Sequence, residues 1–257
     1  MDLDLETIQS FYGIAPGPVI HAGASLVQER HKYKSSGFEP VIWVEALPDI
    51  VEKAKGLLVD FPRQVILQAT LFEFDNKMID FNRASNGGQS SSILQMGIHK
   101  IIHSDVSEGV TEKYLSKKLD TLISENGFLN NYSLLVFDLQ GAELQALRGS
   151  LDCLSRAKAV WIEVSTIKVY RRQALFAEIS AFLNEKGFEL VAHDLIGKNY
   201  MGDALFVTRN IVKINGLKIL APTSRQFDLK ITRTRILLLL RSLGVPSILT
   251  KNPFKKM

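Results

Sequence analysis

The sequence predicts an α/β fold, a mostly parallel sheet with helices on both faces and an antiparallel last strand, followed by a basic helical tail. Three observations predict it. Apolar runs of strand length recur at 19–24, 41–45, 65–69, 133–138 and 159–164. Helix-length stretches alternate with those runs, and glycine or proline punctuates several joints. With 257 residues, 46% of them hydrophobic, the chain is also long enough to bury one sizeable core.

Residues up to Ile14 read as a helix stopped by Gly13 and the Ala15-Pro16-Gly17-Pro18 punctuation. Val19-Ile20-His21-Ala22-Gly23-Ala24 then reads as a buried strand entering a tight turn. A helix over about 27–35 stops at Gly37, and the apolar run 41–45 ends on Glu45. Residues 48–61 form the next helix and 65–69 the third strand, while the alternation over 72–81 suggests an antiparallel excursion. The polar stretch 85–109, opening with Asn86-Gly87-Gly88-Gln89-Ser90-Ser91-Ser92, predicts a mobile loop over the sheet edge. A helix begins near Leu119, and the strand 133–138 closes on Asp138. Helix 142–154, strand 159–164, helix 174–186 and strand 188–193 continue the βαβ alternation. Residues 205–208 supply the last strand, antiparallel at the sheet's end. The alternation is that of a Rossmann-like domain over residues 1–210, with 211–257 as a C-terminal extension.

Composition narrows the function classes. The single cysteine, Cys153, excludes an intramolecular disulfide framework and a multi-cysteine zinc site. The first residues carry Asp2, Asp4 and Glu6 where a signal peptide has a basic region, and no apolar segment reaches the length of a membrane span. A cytoplasmic protein is the expectation. Ten basic side chains against one acid, Asp228, fill 210–257, so the formal net charge of +4 is a basic tail on an acidic body. The tail lacks a helix-turn-helix or RNP-type pattern, and nucleic acid is not an expected partner. Residues 229–243 read as a short helix with basic side chains around the apolar run 236–240. Two roles fit it: peripheral contact with an anionic membrane surface, or packing on the main domain or a second subunit as a homo-oligomer.

In open α/β sheets the ligand sits beyond the carboxyl ends of the strands, where the strand order reverses, so the residues ending each strand are the candidates. The first strand ends in His21-Ala22-Gly23-Ala24-Ser25, whose small residues let backbone approach a ligand closely. The second ends in Glu45, about twenty residues on, placed to accept hydrogen bonds from ribose hydroxyls; a tight turn followed by an exposed glutamate is the plainer reading. The loop lacks the repeated glycines that a dinucleotide pyrophosphate needs, so a ligand without phosphates fits better. Asp138 closes an apolar strand, where a carboxylate is costly without a partner, and a ligand, metal or hydroxyl contact accounts for it. Glu163 repeats the arrangement one strand later, with a salt bridge as its plain alternative. Glu143, at the start of a helix, reads equally as stabilising the helix dipole.

At these residues the sequence resembles the FkbM-type methyltransferase family. The match is carried by residues 19–29 with Gly23-Ala24 and Gln28-Glu29, by 41–48 with Glu45, by the serine run in 89–94, and by 134–149 with Asp138-Leu139-Gln140-Gly141-Ala142-Glu143 and Leu147-Arg148-Gly149. Later segments, Ile162-Glu163-Val164-Ser165 and 176–190, resemble it too, so coverage runs from about 19 to 208. The resemblance implies a Rossmann-like methyltransferase fold, S-adenosyl-L-methionine as cofactor and methyl transfer as reaction. It also implies Gly23 and Ala24 on the cofactor's methionine side, Glu45 at the ribose, Gln68 and Ala69 toward adenine, and Asp138 between cofactor and acceptor; His21, Ser25, Ala46 and Ser91 are cofactor-contact candidates beside them. Two positions depart from the family's pattern. His21 stands where the first strand often ends in aspartate, and Val27 stands at the last position of the family's Gly-Ala-x-x-Gly spacing. Either the loop is wider here or the methionine carboxylate is held differently.

Methyl transfer to an alcohol needs alignment and a base, and the catalytic candidates are Asp138, His193 and Glu163, with His21 and His99 behind them. No metal ligand set is assigned; a divalent cation at Asp138 and Glu163 is the less favoured alternative. The expected acceptor is a small molecule or glycan, methylated on an oxygen of a sugar-containing or other polar metabolite, in glycan or natural-product biosynthesis. Two other readings stay open: a Rossmann-like binding module without catalysis, and a nucleotide-sugar or NAD-dependent oxidoreductase.

Overall fold

The computed structural model describes residues 4–98, 105–128, 130–195 and 200–220. Asp4 caps the first helix, α1 (Leu5–Ser10), by accepting the Thr7 N–H at 3.0 Å. After the Pro-Gly punctuation come β1 (Val19–Ala22), α2 (Arg30–Ser35), β2 (Val41–Glu45), α3 (Pro48–Leu57) with proline at its start, and β3 (Gln64–Gln68). The excursion is β4 (Thr70–Leu71), β5 (Met78–Ala84) and β6 (Glu108–Lys117), a small sheet in the order β4-β6-β5 in which β5 pairs antiparallel and β4 parallel with β6. Next are α4 (Leu119–Glu125), β7 (Tyr132–Phe137), α5 (Glu143–Arg148), α6 (Leu151–Ser155), β8 (Ala157–Ser165), α7 (Phe176–Glu185), β9 (Phe188–His193), β10 (Met201–Thr208) and α8 (Arg209–Asn215).

The main sheet has seven strands in the order β3-β2-β1-β7-β8-β10-β9. The chain builds outward from β1 to β3 and then returns to the other side of β1 with β7, so the order reverses between β1 and β7. Side chains alternate between two buried faces. Ile20, Ile42, Leu135 and Val160 meet α4, α5, α6 and α7 on one face; Val19, Trp43, Val136 and Ala159 meet α1, α2 and α3 on the other. Strands apolar on both faces are what a helix-covered parallel sheet requires.

Several expectations change in the folded chain. The last strand is antiparallel, as β10 pairs antiparallel with both β8 and β9, yet it lies between them rather than at the sheet's end. The helix expected over 142–154 is two helices broken at Gly149. A Cβ there would lie 2.2 Å from the Phe72 carbonyl oxygen, and the Gly149 carbonyl accepts the Asp120 N–H. The Asp120 carboxylate in turn accepts the Asp152 and Cys153 N–H groups, capping α6 from a neighbouring helix.

The segment 85–109 is anchored over its described part, against the expectation of a mobile loop. Ser92 bridges Asn82, Met96 bridges Tyr170, and the Ser85 and Ser107 backbones are joined. Met96 and Val106 bury themselves against Ile167, Val169 and Tyr170, a periodicity-free cluster that polarity alone hides. The α8 helix crosses residue 210 and buries Val212 against the sheet, and the Leu220 N–H bonds the Leu190 carbonyl. The expected tail helix at 229–243 and the candidate base His99 lie outside the described residues. No helix among the described residues is long and apolar enough to cross a membrane.

Candidate active site

At the switch point the turn after β1 runs directly against the end of β7. The Gly23 and Ala24 N–H groups both bond the Val44 carbonyl, and the Asp138 N–H bonds the Ala22 carbonyl. Gly23 has φ +88, and a Cβ on it would lie 1.9 Å from the Asp138 carbonyl oxygen, so only glycine lets the two strand ends meet. Further along the turn, Ser25 and Val27 are also left-handed, at φ +45 and +48. A β-branched residue seldom adopts that region, and a glycine adopts it freely. Val27 therefore keeps the backbone form that the family's glycine would take, and its side chain is fully buried in the core. His21 is accommodated in another way: its ring stacks on Trp43 with centroids 4.7 Å apart, and its Nδ1 lies 3.0 Å from the Tyr33 hydroxyl. Burial brings its pKa down to about 3, which removes it from acid–base work near neutrality.

Glu45 ends β2, the strand beside β1, and ties the turn after β1 to the start of the next loop. Its Oε2 accepts the Ser25 N–H at 2.9 Å, and its Oε1 accepts the N–H groups of Ala46 and Leu47 at 2.8 and 3.1 Å. Burial raises its pKa while those three donors pull the other way. The carboxylate thus fixes the two loops that flank the cavity, and Oε2 retains a lone pair for a further donor.

Carboxyl groups gather at the ends of β7 and β8. Gln140, itself left-handed at φ +53, donates Nε2 to Asp138 Oδ1 at 2.8 Å and reaches Glu163 Oε2 at 3.3 Å. Its Oε1 accepts the Tyr170 hydroxyl at 2.9 Å, and that hydroxyl also lies 3.3 Å from the Ser90 carbonyl. Burial raises the Asp138 pKa, partly offset by the Gln140 donor. Glu163 is pushed well above the usual range by burial, then by Asp138, Glu143 and Asp203, the last its antiparallel partner on β10. Glu143 is buried at the start of α5, where one oxygen, Oε1, accepts the Leu139 and Gly141 N–H groups at 2.9 and 3.0 Å. Its role is to close the Asp138–Gly141 turn, more specific than a favourable helix-dipole charge. Among the described residues no group of three or more His, Cys, Asp or Glu is arranged to hold a metal ion.

These elements surround a cavity of about 550 Å³, a volume typical of small-molecule and cofactor sites. Of the residues expected from sequence, His21, Gly23, Ser25, Glu45, Ala46, Ala69, Ser91, Asp138 and Glu163 line it. Ala24, Gln68 and His193 do not. Ala24 packs into the core, and the Gln68 side chain is exposed, reaching back to the Ala46 carbonyl. His193 sits on β9, which the inserted β10 separates from β8 and Glu163; its ring lies edge-on to Phe176. Sequence reasoning missed the part played by Gln140, and it missed Tyr170 and the apolar walls Ile50 and Phe81. Gln140 stood inside a quoted motif, whereas Tyr170 arrives through a connection after β8 that carries no sequence signal.

A parallel sheet with one antiparallel insertion, a strand-end carboxylate on β2 and a tight glycine turn at the switch point define a Rossmann-like methyltransferase fold. The chain belongs to the FkbM methyltransferase family: the family's methyltransferase FkbM domain model matches residues 24–190. No curated protein matches the chain by sequence. Among solved structures it is similar to a TehB-like SAM-dependent methyltransferase from Corynebacterium glutamicum, at 14% identity over 81% of this chain and 89% of that one, with a TM-score of 0.43. It is also similar to magnesium protoporphyrin IX methyltransferase from Synechocystis with bound SAM, at 12% identity, 79% and 77% coverage and a TM-score of 0.42. A SAM-dependent methyltransferase from Aquifex aeolicus is similar at 12% identity, 80% and 89% coverage and a TM-score of 0.44.

Proposed function

We propose that this FkbM-family protein is an S-adenosylmethionine-dependent O-methyltransferase acting on a hydroxyl of a sugar-containing or other polar metabolite. The observation that carries the reading is the pairing of Glu45 with the Gly23–Ser25 turn in one cavity with Asp138. The residues suit the cofactor. Glu45 has acceptor capacity left for ribose hydroxyls, the turn offers backbone at close approach, and Leu47, Ile50, Leu71 and Phe81 wall an apolar slot fit for an adenine. Bound there, the cofactor supplies an electrophilic methyl group on a sulfonium.

The chain's own residues do the rest. Asp138 faces the acceptor and takes the hydroxyl proton as the oxygen becomes a nucleophile, and Gln140 keeps its carboxylate oriented. The serine run closes one side of the cavity and helps exclude water. The departures at His21 and Val27, the grounds for a module without catalysis, leave the turn's backbone form in place.

Titration calorimetry with S-adenosylhomocysteine, followed by transfer of labelled methyl from the cofactor into a fractionated host extract, tests the reading. A folded protein that binds no S-adenosylhomocysteine overturns it, and a labelled product that is not an ether overturns the choice of a hydroxyl.

A further inference from the structure

The cavity walls carry an unusual charge balance. Glu29, Glu45, Asp138 and Glu163 all line the space, and among the described residues no lysine or arginine does. Glu45 has its own backbone donors, and the other three share the cavity lining with Gln140. Asp138 feels Glu29 from the β1–α2 loop, Glu163 on β8 and Glu143 on α5, with Asp203 on β10 behind Glu163. The side-chain donor aimed at this wall is the neutral amide of Gln140, which touches Asp138 and Glu163 together.

We infer that the acceptor is an uncharged or amine-bearing polyol, with no phosphate or carboxylate near the hydroxyl that is methylated. The inference rests on the proposed methyl transfer and names its substrate class. S-adenosylmethionine brings one net positive charge against Glu29, Glu45 and Asp138, while Glu163, pushed well above the usual carboxylate range, adds no charge near neutrality. A negative group about 6 Å from a single ionised carboxylate is disfavoured by on the order of a hundredfold at a surface-cleft dielectric, and the same arithmetic favours a protonated amine. The neutral amide at Gln140 suits this role, since a lysine or arginine there would neutralise the wall and admit an anion.

Sinefungin tests the field directly, because it carries an amine where the cofactor's methyl group points and is otherwise close to S-adenosylhomocysteine. Calorimetry of the full chain should show sinefungin binding at least tenfold tighter than S-adenosylhomocysteine. The gap should narrow in the near-isosteric Asp138→Asn. Equal binding, or a preference for S-adenosylhomocysteine, overturns the acidic selection, whereas failure of both ligands to bind overturns the cofactor reading instead. A second measurement pairs acceptors: labelled methyl transfer to methyl glucoside, glucosamine and glucose 6-phosphate. Faster transfer to glucose 6-phosphate than to the other two overturns the inference, and where none of the three is methylated the sinefungin comparison decides.

Discussion

The Tyr170 hydroxyl donates to Gln140 Oε1 at 2.9 Å, joining the connection after β8 to the turn that follows β7. The bond agrees with the two carboxyl groups on which way the amide faces. With Oε1 engaged by a donor, Nε2 is turned to Asp138 and Glu163. An amide free to flip would place an oxygen against two carboxylates. Tyr170 is thus a positioning residue that acts through Gln140. Tyr170→Phe removes one hydroxyl and keeps the ring that packs beside Gly141. Turnover should fall about tenfold, the equivalent of one hydrogen bond, with S-adenosylhomocysteine affinity retained. The Gln140 donor holds the Asp138 pKa down, so its loss should move the acidic limb of the pH–rate profile upward. A profile that is lower but unshifted would reduce Tyr170 to packing.

Asp138→Asn separates chemistry from binding. The amide keeps the shape of the strand end but accepts no proton, so kcat should drop by about two orders of magnitude or more while S-adenosylhomocysteine affinity is kept. Single-turnover kinetics beside calorimetry read the two effects, and near-normal turnover would make Asp138 a structural group.

Glu45 has two duties that two substitutions distinguish. Glu45→Ala frees three backbone N–H groups in addition to the ribose contact, so it should lower thermal stability as well as affinity. Glu45→Gln retains one acceptor oxygen, and its main effect should be a loss of cofactor affinity of about tenfold or more, from weakened bonds to a charged acceptor. Unchanged affinity in a folded Gln variant would remove the ribose assignment.

Glu143 makes stability depend on pH. Burial lifts its pKa from 4.5 to about 7, so the folded state holds a proton that the unfolded chain releases, and stability falls as pH rises from 4.5 through about 7. The loss is at most ~3 kcal/mol. Asp203 acts in the same sense, and buried His21 in the opposite sense as pH falls below 6.5. Comparison with Glu143→Gln cancels both. Both backbone bonds fall on Oε1, which Gln can reproduce. The variant should melt at a higher temperature than the parent at pH 8, with the gap closing near pH 5. A constant gap would show that Glu143 does not titrate in this range.

The tail is tested by where the chain is cut. A chain ending at Leu220 keeps α8 and its buried Val212 and should fold with its melting temperature nearly unchanged, whereas one ending at Asn210 should be destabilised. We expect the full chain to bind anionic vesicles and the chain ending at Leu220 to lose that binding. Equal vesicle binding, or a changed oligomeric state of the shorter chain in its place, would move the tail's role to packing.

The sequence by itself determined the main strand runs and the residues at their ends, because strands buried on both faces must be apolar throughout and a carboxylate that closes one stands out. It showed Glu45, Asp138 and Glu163 for that reason, and Gly23 as a small residue where backbone can approach closely. Only the tertiary structure decided the place of β10, since pairing partners are not written in periodicity. Inserting β10 removed His193 from the site. Tertiary contacts also broke the helix at Gly149, where the Phe72 backbone leaves no space for a side chain, and pinned residues 85–98 through Met96 and Tyr170. Val27 shows the same division. Its residue type argues against a left-handed turn, and burial in the core with the turn held by Val44 and Glu45 imposes one. Local pattern chose the elements, and long-range contacts, which alone offset the strain and desolvation of such positions, chose which side chains meet.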